Sequence, residues 1–335
     1  MASASVATPQ PPRIFSFDEC LAIISALPPD AVISAMADGF VAYTRGNVSV
    51  APIQTLGQPP LAAFVGHPDA QACIKSAYVN GGAVFVSKVA SGGGGQNSGL
   101  VLVFSQITFA PVAIFLDGGY LTELRTAAAG ALAAREFAPR SLSRIAVIGC
   151  GVQARWQLRL LASVIACRKV TCFARRPEQA AQLVDEMGRE GWEITAAPSI
   201  AAACDGAGLI ITVTPAREPL LQRAWVVADG DVLISAIGAD SSGKQELEPS
   251  LVTSASLCVA DATVQCVERG ELQHAVKSGA LSESAIVEMG AWLARPPAAR
   301  PRPRGLVIFD STGVAVQDAK IAELALKAAP AASAL

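Results

Sequence analysis

Residues 144–154 read RIAVIGCGVQA, an apolar run that passes directly into Gly149-Cys150-Gly151-Val152-Gln153-Ala154. This is a G-x-G-x-x-G/A turn in the strand–turn–helix setting that gives the pattern its meaning. Gly149 permits the tight turn, and Gly151 lets the backbone approach a pyrophosphate. Ala154 is small enough for the following helix to pack closely on the strand. The helix starting near Val152 offers free N–H groups and the positive end of its dipole to phosphate. Further apolar runs at 169–173, 209–212, 232–236, 257–259 and 305–309 follow, and helical stretches at 152–164 and 177–190 alternate with the first of them. Such alternation predicts a parallel, doubly wound α/β sheet, here a Rossmann dinucleotide-binding domain.

The region before it has a different texture. One short helix is predicted from residue 15 to the Pro28-Pro29 stop, capped near Ser16 or Asp18, and a second over 30–45. Apolar runs at 72–79, 83–90, 100–105 and 112–117 are separated by glycine-rich turns at 80–82 and 91–95. They predict a meander, hence an α+β domain with a mostly antiparallel sheet. The alanine-rich stretch 121–138 predicts a helix of about four or five turns. Residues 1–13 are small, polar and proline-rich; a disordered tail is expected, a transit peptide being the alternative. The stretch 295–304, RPPAARPRPR, is expected to be a solvated basic connection, the alternative being an SH3-type or nucleic-acid contact.

Composition removes several classes. Hydrophobic residues make up 52% and charged ones 16% of the 335 residues, which excludes a disordered chain. A formal net charge of −2 supplies no general field for nucleic acid or an anionic membrane, so neither is expected as a partner. The longest apolar stretch, 100–116, is interrupted by Ser105, Gln106, Thr108 and Pro111 and is too broken for a bilayer span. Eight scattered cysteines with no CxxC and no signal peptide lead us to expect reduced thiols and a cytoplasmic location. The terminal Ser-Ala-Leu is a poor likeness of a peroxisomal signal. Only His67 and His274 occur, neither in a ligand-like cluster. A Ser-His-Asp hydrolase or a histidine metal centre is hard to build from them, and no metal is expected. Acid–base chemistry falls to carboxylates and lysines.

Where the second strand of the nucleotide fold ends, an NAD enzyme offers Asp or Glu to the ribose hydroxyls. Here the residues are Ala174-Arg175-Arg176. Cations without a competing carboxylate suit a 2′-phosphate, so NADPH is the expected cofactor, with NADH the alternative.

Five segments together resemble the ornithine cyclodeaminase/mu-crystallin family: VSKV around Lys88, LTELRTAAAGALAA around Arg125, IGCGVQA, IGADSSGKQEL around Asp240, and FDSTGVAVQD near the C-terminus. They span most of the chain in the family order. FLDGGYLTELRTAAAG and the strand around Lys75 look closest to the branch holding ectoine-utilisation proteins and iminosuccinate reductases. The resemblance implies a homodimer, with a substrate and dimerisation domain over 14–122 plus 312–335 and the Rossmann domain over 123–311. It implies that Lys88 binds the substrate carboxylate beside the reacting carbon, that Arg125 clamps the same carboxylate, and that Asp240 is the general acid/base. Cofactor contacts are implied at Asn97, Arg125, Thr126, Gly149, Gly151, Val152, Gln153, Ala174, Arg175, Arg176, Thr212, Thr214, Ile237, Gly238, Lys244 and Gly313. Lys244 either serves the cofactor or caps its turn.

Two departures bear on the substrate. Many members carry an arginine in a P-x-R segment as a second carboxylate clamp, and this chain has Pro52-Ile53-Gln54. Gln54 can hydrogen-bond a substrate but cannot neutralise it. Lys75 either supplies the missing charge from a neighbouring strand or is a surface lysine. The run 91–98, SGGGGQNS, is either a lid or a loose hairpin. The resulting expectation is an NAD(P)H-dependent reductase of a small-molecule α-imino acid, cyclic or acyclic, giving an L-amino acid. Its rivals are an ornithine cyclodeaminase-type ammonia lyase and a mu-crystallin-like protein that holds NADPH and a ligand with little turnover.

Overall fold

The computed structural model describes residues 11–57, 70–93, 96–227 and 230–330. The elements begin β1 (Arg13–Phe15), α1 (Phe17–Ala26), α2 (Pro29–Thr44), β2 (Val48–Val50), β3 (Gln54–Leu56), β4 (Gln71–Val79), β5 (Val84–Gly93), β6 (Gln96–Ser105), β7 (Pro111–Phe115) and α3 (Tyr120–Phe137). They continue with β8 (Ile145–Ile148), α4 (Val152–Leu161), β9 (Lys169–Phe173), α5 (Pro177–Arg189), β10 (Glu193–Ala196), α6 (Ile200–Cys204), β11 (Leu209–Thr212) and β12 (Val232–Ala236). The last are α7 (Pro249–Ser254), β13 (Leu257–Ala260), α8 (Thr263–Arg269), α9 (Leu272–Lys277), β14 (Ile286–Glu288), α10 (Met289–Leu293), β15 (Leu306–Asp310) and α11 (Ala315–Ala328). Among the described residues no single helix is long and apolar enough to cross a membrane.

The chain divides into two compact units. The first comprises Met1–Leu27, Asn47–Thr122 and Asp318–Leu335, the second Pro28–Gly46 and Glu123–Gln317. In the first, seven strands form one sheet in the order β1-β7-β6-β5-β4-β2, with β3 also on β4. Only β1 runs parallel to its neighbour; the other pairings are antiparallel. Alternate residues Ala77, Val86, Val101, Val103, Ala113 and Phe115 bury one face. The opposite face keeps Tyr78, Phe85, Phe104 and Ile14 partly or largely exposed, with Phe85 and Phe104 stacked at 4.6 Å. Helix α1 starts on a capping box in which Ser16 and Glu19 satisfy each other's backbone N–H.

In the second unit eight strands run parallel in the order β10-β9-β8-β11-β12-β15-β13-β14. The central strands IAVI, LIIT, VLISA and LVIFD are buried at every position, as expected of strands covered on both faces. Toward the edge, β9 alternates instead. The winding reverses between β8 and β11, so the topological switch point falls at the end of the glycine-turn strand.

Several expectations need correction. Residues 1–10 of the expected tail lie outside the described residues, but Arg13 is not tail. It pairs with Ala113 in β1, its guanidinium lies 4.6 Å from the Phe15 ring, and it donates to Pro330 O at 2.7 Å. The compact units also divide the chain elsewhere than the expected domain limits. Helix α2 packs on α10 in the second unit, where Thr44 Oγ1 donates to Glu288 at 2.8 Å, and residues 312–317 stay with β15. The basic stretch 295–304 is anchored, not merely solvated. Arg300 donates to Glu136 at 2.8 Å, and Arg302 caps the end of α3 through the carbonyls of Arg135 and Ala138. The glycine run continues the β5–β6 ladder, with Gly92 opposite Asn97 and Gly93 opposite Gln96, while residues 94 and 95 of the expected lid or hairpin lie outside the described residues.

Candidate active site

The sheet of the second unit presents its strand ends as one edge. At the end of β8, Gly149 adopts φ +101° and its N–H donates to Phe173 O at 2.9 Å. A Cβ there would lie 2.7 Å from Val213 O, so only glycine fits. A Cβ on Gly151 would meet nothing within 4 Å. That open side lies at the start of α4, whose first N–H groups receive no side-chain cap. Arg155 closes the turn from behind, donating to the carbonyls of Cys150 and Gly151 and to Glu186. Its charge and hydrogen bonds hold the Glu186 carboxyl below the ordinary range. Gln153 spends its amide on Glu123.

The next two strand ends share one buried acceptor. Glu246 Oε1 accepts from Thr214 N at 2.6 Å and Thr214 Oγ1 at 2.7 Å; Oε2 accepts from Thr212 Oγ1 at 2.6 Å and Gly238 N at 2.9 Å. Gly238 has no room for a Cβ between Thr214 O and this carboxylate. Glu271 holds Glu246 in turn, accepting from the N–H of Glu246 at 2.6 Å and of Leu247 at 3.1 Å. Burial raises both carboxyls; the charges of Glu246 and Asp310 push Glu271 further.

Asp240 lies in the loop beyond β12, half exposed, with Lys244 Nζ 2.5 Å from Oδ1. Lys244 also reaches Gly238 O at 3.4 Å, and its own carbonyl accepts from Gln273 Nε2 at 3.2 Å. Beyond β15, Gly313 takes φ +77° and donates its N–H to Asp261 at 2.7 Å. A Cβ there would overlap the Arg125 guanidinium, which is 4% exposed. Asp261 also accepts from the hydroxyls of Ser311 and Thr312. Asp261 thus shapes the turn against which Arg125 lies.

In the first unit Lys75 stands directly opposite Lys88 on β4 and β5, and both are buried. Asp318 Oδ2 lies 3.5 Å from Lys88 Nζ. Burial raises the nearby Asp117 carboxyl against the N–H groups it accepts and the Lys88 charge. Gln54 pairs with Ile74, one residue from Lys75, so it sits on the other face and is exposed. The structure does not bring Gln54 to the lysines.

The second unit thus gathers Gly149, Gly151, Val152, Thr212, Thr214, Ile237, Gly238, Asp240, Lys244, Gly313 and Arg125 around the ends of β8, β11, β12 and β15. Thr126 follows Arg125 on α3, and its carbonyl accepts from Gln157. Ala174, Arg175 and Arg176 follow β9, with both arginines exposed and no carboxylate among them. Asn97 and the two lysines belong to the first unit. The open side of Gly151 and the uncapped helix start fit a dinucleotide's phosphates. Sequence reading missed Glu246, Glu271 and Asp261; each is an acid beside buried apolar residues (Leu247, Leu272 and Ala260), and that was the available clue.

Residues 78–330 match the ornithine cyclodeaminase/mu-crystallin family. An uncharacterized cyclodeaminase of Sinorhizobium fredii is 36% identical over 312 residues, covering 90% of this chain and 92% of that protein. The iminosuccinate reductase of Paracoccus denitrificans is 31% identical over 316 residues, covering 92% and 94%. Its crystal structure in complex with NAD+ superposes with a TM-score of 0.82 at 28% identity over 95% of this chain and 96% of that one. An archaeal alanine dehydrogenase dimer with bound NAD gives 0.82 at 26% identity, covering 95% and 96%. This chain belongs to the ornithine cyclodeaminase/mu-crystallin family.

Proposed function

We propose that this chain is a reductase of an α-imino acid, using NADPH, with NADH as the alternative reductant, and giving an L-amino acid. One observation carries the proposal. The glycine turn, the Asp240 loop and the Gly313 turn against which Arg125 lies converge on the C-terminal ends of neighbouring parallel strands, where open α/β sheets bind ligands. Arg125 grips the substrate carboxylate bidentately and so fixes the α-carbon. Asp240 holds the proton on the imine nitrogen that makes C2 the better acceptor. Lys244 keeps that carboxylate aimed through their 2.5 Å contact, which favours its turn-capping role. A reduced nicotinamide, when bound, would supply a hydride for C2, and the C=N π pair would then pass to the nitrogen that Asp240 keeps protonated, leaving the amine.

The names of two relatives, an iminosuccinate reductase and an alanine dehydrogenase, support a small imino or amino acid as substrate. Exposed Arg175 and Arg176 support NADPH, although the two solved neighbours hold NAD. The exposed apolar sheet face of the first unit supports a homodimer, and cytoplasmic location is part of the same proposal. The test is oxidation of NADPH and NADH with pyrroline-2-carboxylate, piperideine-2-carboxylate, and 2-oxo acids with ammonium or methylamine. Consumption with any imine is expected. Tight NADPH binding with no turnover across the panel overturns the reductase in favour of a ligand-binding protein.

A further inference from the structure

Arg155 lies in the first turn of α4, where a side chain tilts back toward the helix start. Its Nη1 donates to the carbonyls of Cys150 at 2.9 Å and Gly151 at 3.0 Å. Its Nε and Nη2 meet the two oxygens of Glu186 on α5 at 2.5 and 2.9 Å, a fork-to-fork pair. The guanidinium is therefore held on one side by a carboxylate and applied on the other to the backbone of the glycine turn. Glu186 balances its charge, so what Arg155 brings to the turn is orientation more than field.

In a trans peptide the C=O and N–H point in opposite directions. The Cys150 oxygen shares its peptide with the Gly151 N–H, and the Gly151 oxygen shares its peptide with the Val152 N–H. Both peptides flank a glycine, whose backbone rotates with little steric penalty. A Cβ on Gly151 would meet nothing within 4 Å, so no neighbour crowds that side of the residue. A flip of either peptide would replace a donor by a carbonyl oxygen, which repels phosphate. Arg155 opposes the flip by holding both oxygens, and the two N–H groups are left pointing away from it.

We propose that Arg155 is a positioning residue for the coenzyme's pyrophosphate: it locks the two peptides around Gly151 with their N–H groups turned to the ligand. The proposal rests on the dinucleotide reading of this turn and does not depend on the imine substrate. Because the pyrophosphate is common to NADPH and NADH, Arg155 serves both coenzymes equally, in contrast to Arg175 and Arg176.

The test is a fluorescence titration of the full-length protein with NADPH and with NADH, without imine. Arg155→Met is expected to raise both Kd values by the same factor, about tenfold, which is the scale of one hydrogen bond to a charged group. Inorganic pyrophosphate is expected to raise the melting temperature of wild type more than that of Arg155→Met. Should the methionine variant not fold, Arg155→Lys carries the same comparison, with both Kd values rising by an equal but smaller factor, since a lysine cannot hold Glu186 and the carbonyls in one planar fork. Unchanged Kd values with a lowered melting temperature would make Arg155 a brace between α4 and α5 and overturn the proposal. So would a loss confined to NADPH, or equal thermal shifts with pyrophosphate in wild type and variant. A wild type that binds neither coenzyme overturns it together with the dinucleotide reading. Imine turnover is measured apart from these titrations, so the reductase reading and the role of Arg155 fail separately.

Discussion

Glu246→Gln replaces one oxygen by an NH2 group and leaves the shape of the side chain unchanged. In the wild type both oxygens accept twice, each from one threonine hydroxyl and one backbone N–H. A hydroxyl can rotate and accept; a backbone N–H cannot. Whichever way the amide settles, its NH2 opposes either the Gly238 N–H or the Thr214 N–H. A buried donor left without an acceptor costs about 1–3 kcal/mol, and the remaining bonds lose the assistance of a charged acceptor. Relief of the desolvation that raises this carboxyl offsets part of the loss. The net expectation is about 2–3 kcal/mol. In a unit of this size that is a fall of about 5–10 °C in melting temperature. The loops at 212–214 and 237–238 are released together, so the Kd for NADPH rises with the loss of stability. Calorimetry and a fluorescence titration of NADPH read the two effects. A variant that melts within about 1 °C of wild type and binds NADPH equally well would refute the claim that this carboxylate holds the strand ends in place.

Three further perturbations separate the remaining roles. Asp240→Asn is expected to keep cofactor affinity and lose about a hundredfold or more in kcat, and near-normal turnover would remove Asp240 from proton handling. Replacing Arg175 and Arg176 by alanine is expected to weaken NADPH and spare NADH; equal losses in the two Kd values would show that neither arginine reads a 2′-phosphate. Asp310 tests the buried acids by pH. Burial lifts its carboxyl from 3.8 to about 8, so the folded chain keeps a proton that the unfolded chain has released. Its stabilising contribution is full below about pH 4 and is lost as pH rises through 8. Asp310→Asn removes that dependence, so its melting temperature should gain on wild type from acid to mildly alkaline pH; parallel curves would contradict the shift.

Long apolar runs made the second unit legible. IAVI, LIIT, VLISA and LVIFD are buried at every position and read as central strands, and the turn at Gly149 announced both the switch point and its ligand class. Short polar pieces were not legible. VSV, QTL, EITA and IVE lack the length to show a period, and they are strands because a longer neighbour supplies a ladder. RIF was hidden by the proline-rich residues before it, yet Phe15 stacks on Phe115 at 4.7 Å. Arg125 and Lys88 stood out because charge inside an apolar run demands a partner. The face taken by Gln54 depended on a register that only the β3–β4 pairing reveals.

The acids that sequence reading missed share a physical task. Just beyond β11, β12 and β15 the N–H groups of Val213, Ile237 and Ser311 still donate to the neighbouring strand, but those of Thr214, Gly238 and Gly313 lie past the ladder and need acceptors elsewhere. A ligand-binding crevice cannot be closed by hydrogen bonds from one lip to the other, so its lips must be held from beneath. A carboxylate is suited to this because two oxygens offer about four acceptor sites at one point. Glu246 takes Thr214 and Gly238, Glu271 takes Glu246 and Leu247, Asp310 takes Leu272, and Asp261 takes Gly313. Each arrangement costs desolvation, visible in the raised carboxyls of Glu246, Glu271 and Asp310. Apolar side chains at the same positions would avoid that desolvation, but they would leave those N–H groups without acceptors and the loops without fixed positions. The desolvation these acids bear is the physical cost of strand ends kept open and rigid at once, which a hydride acceptor aligned to within a fraction of an ångström requires.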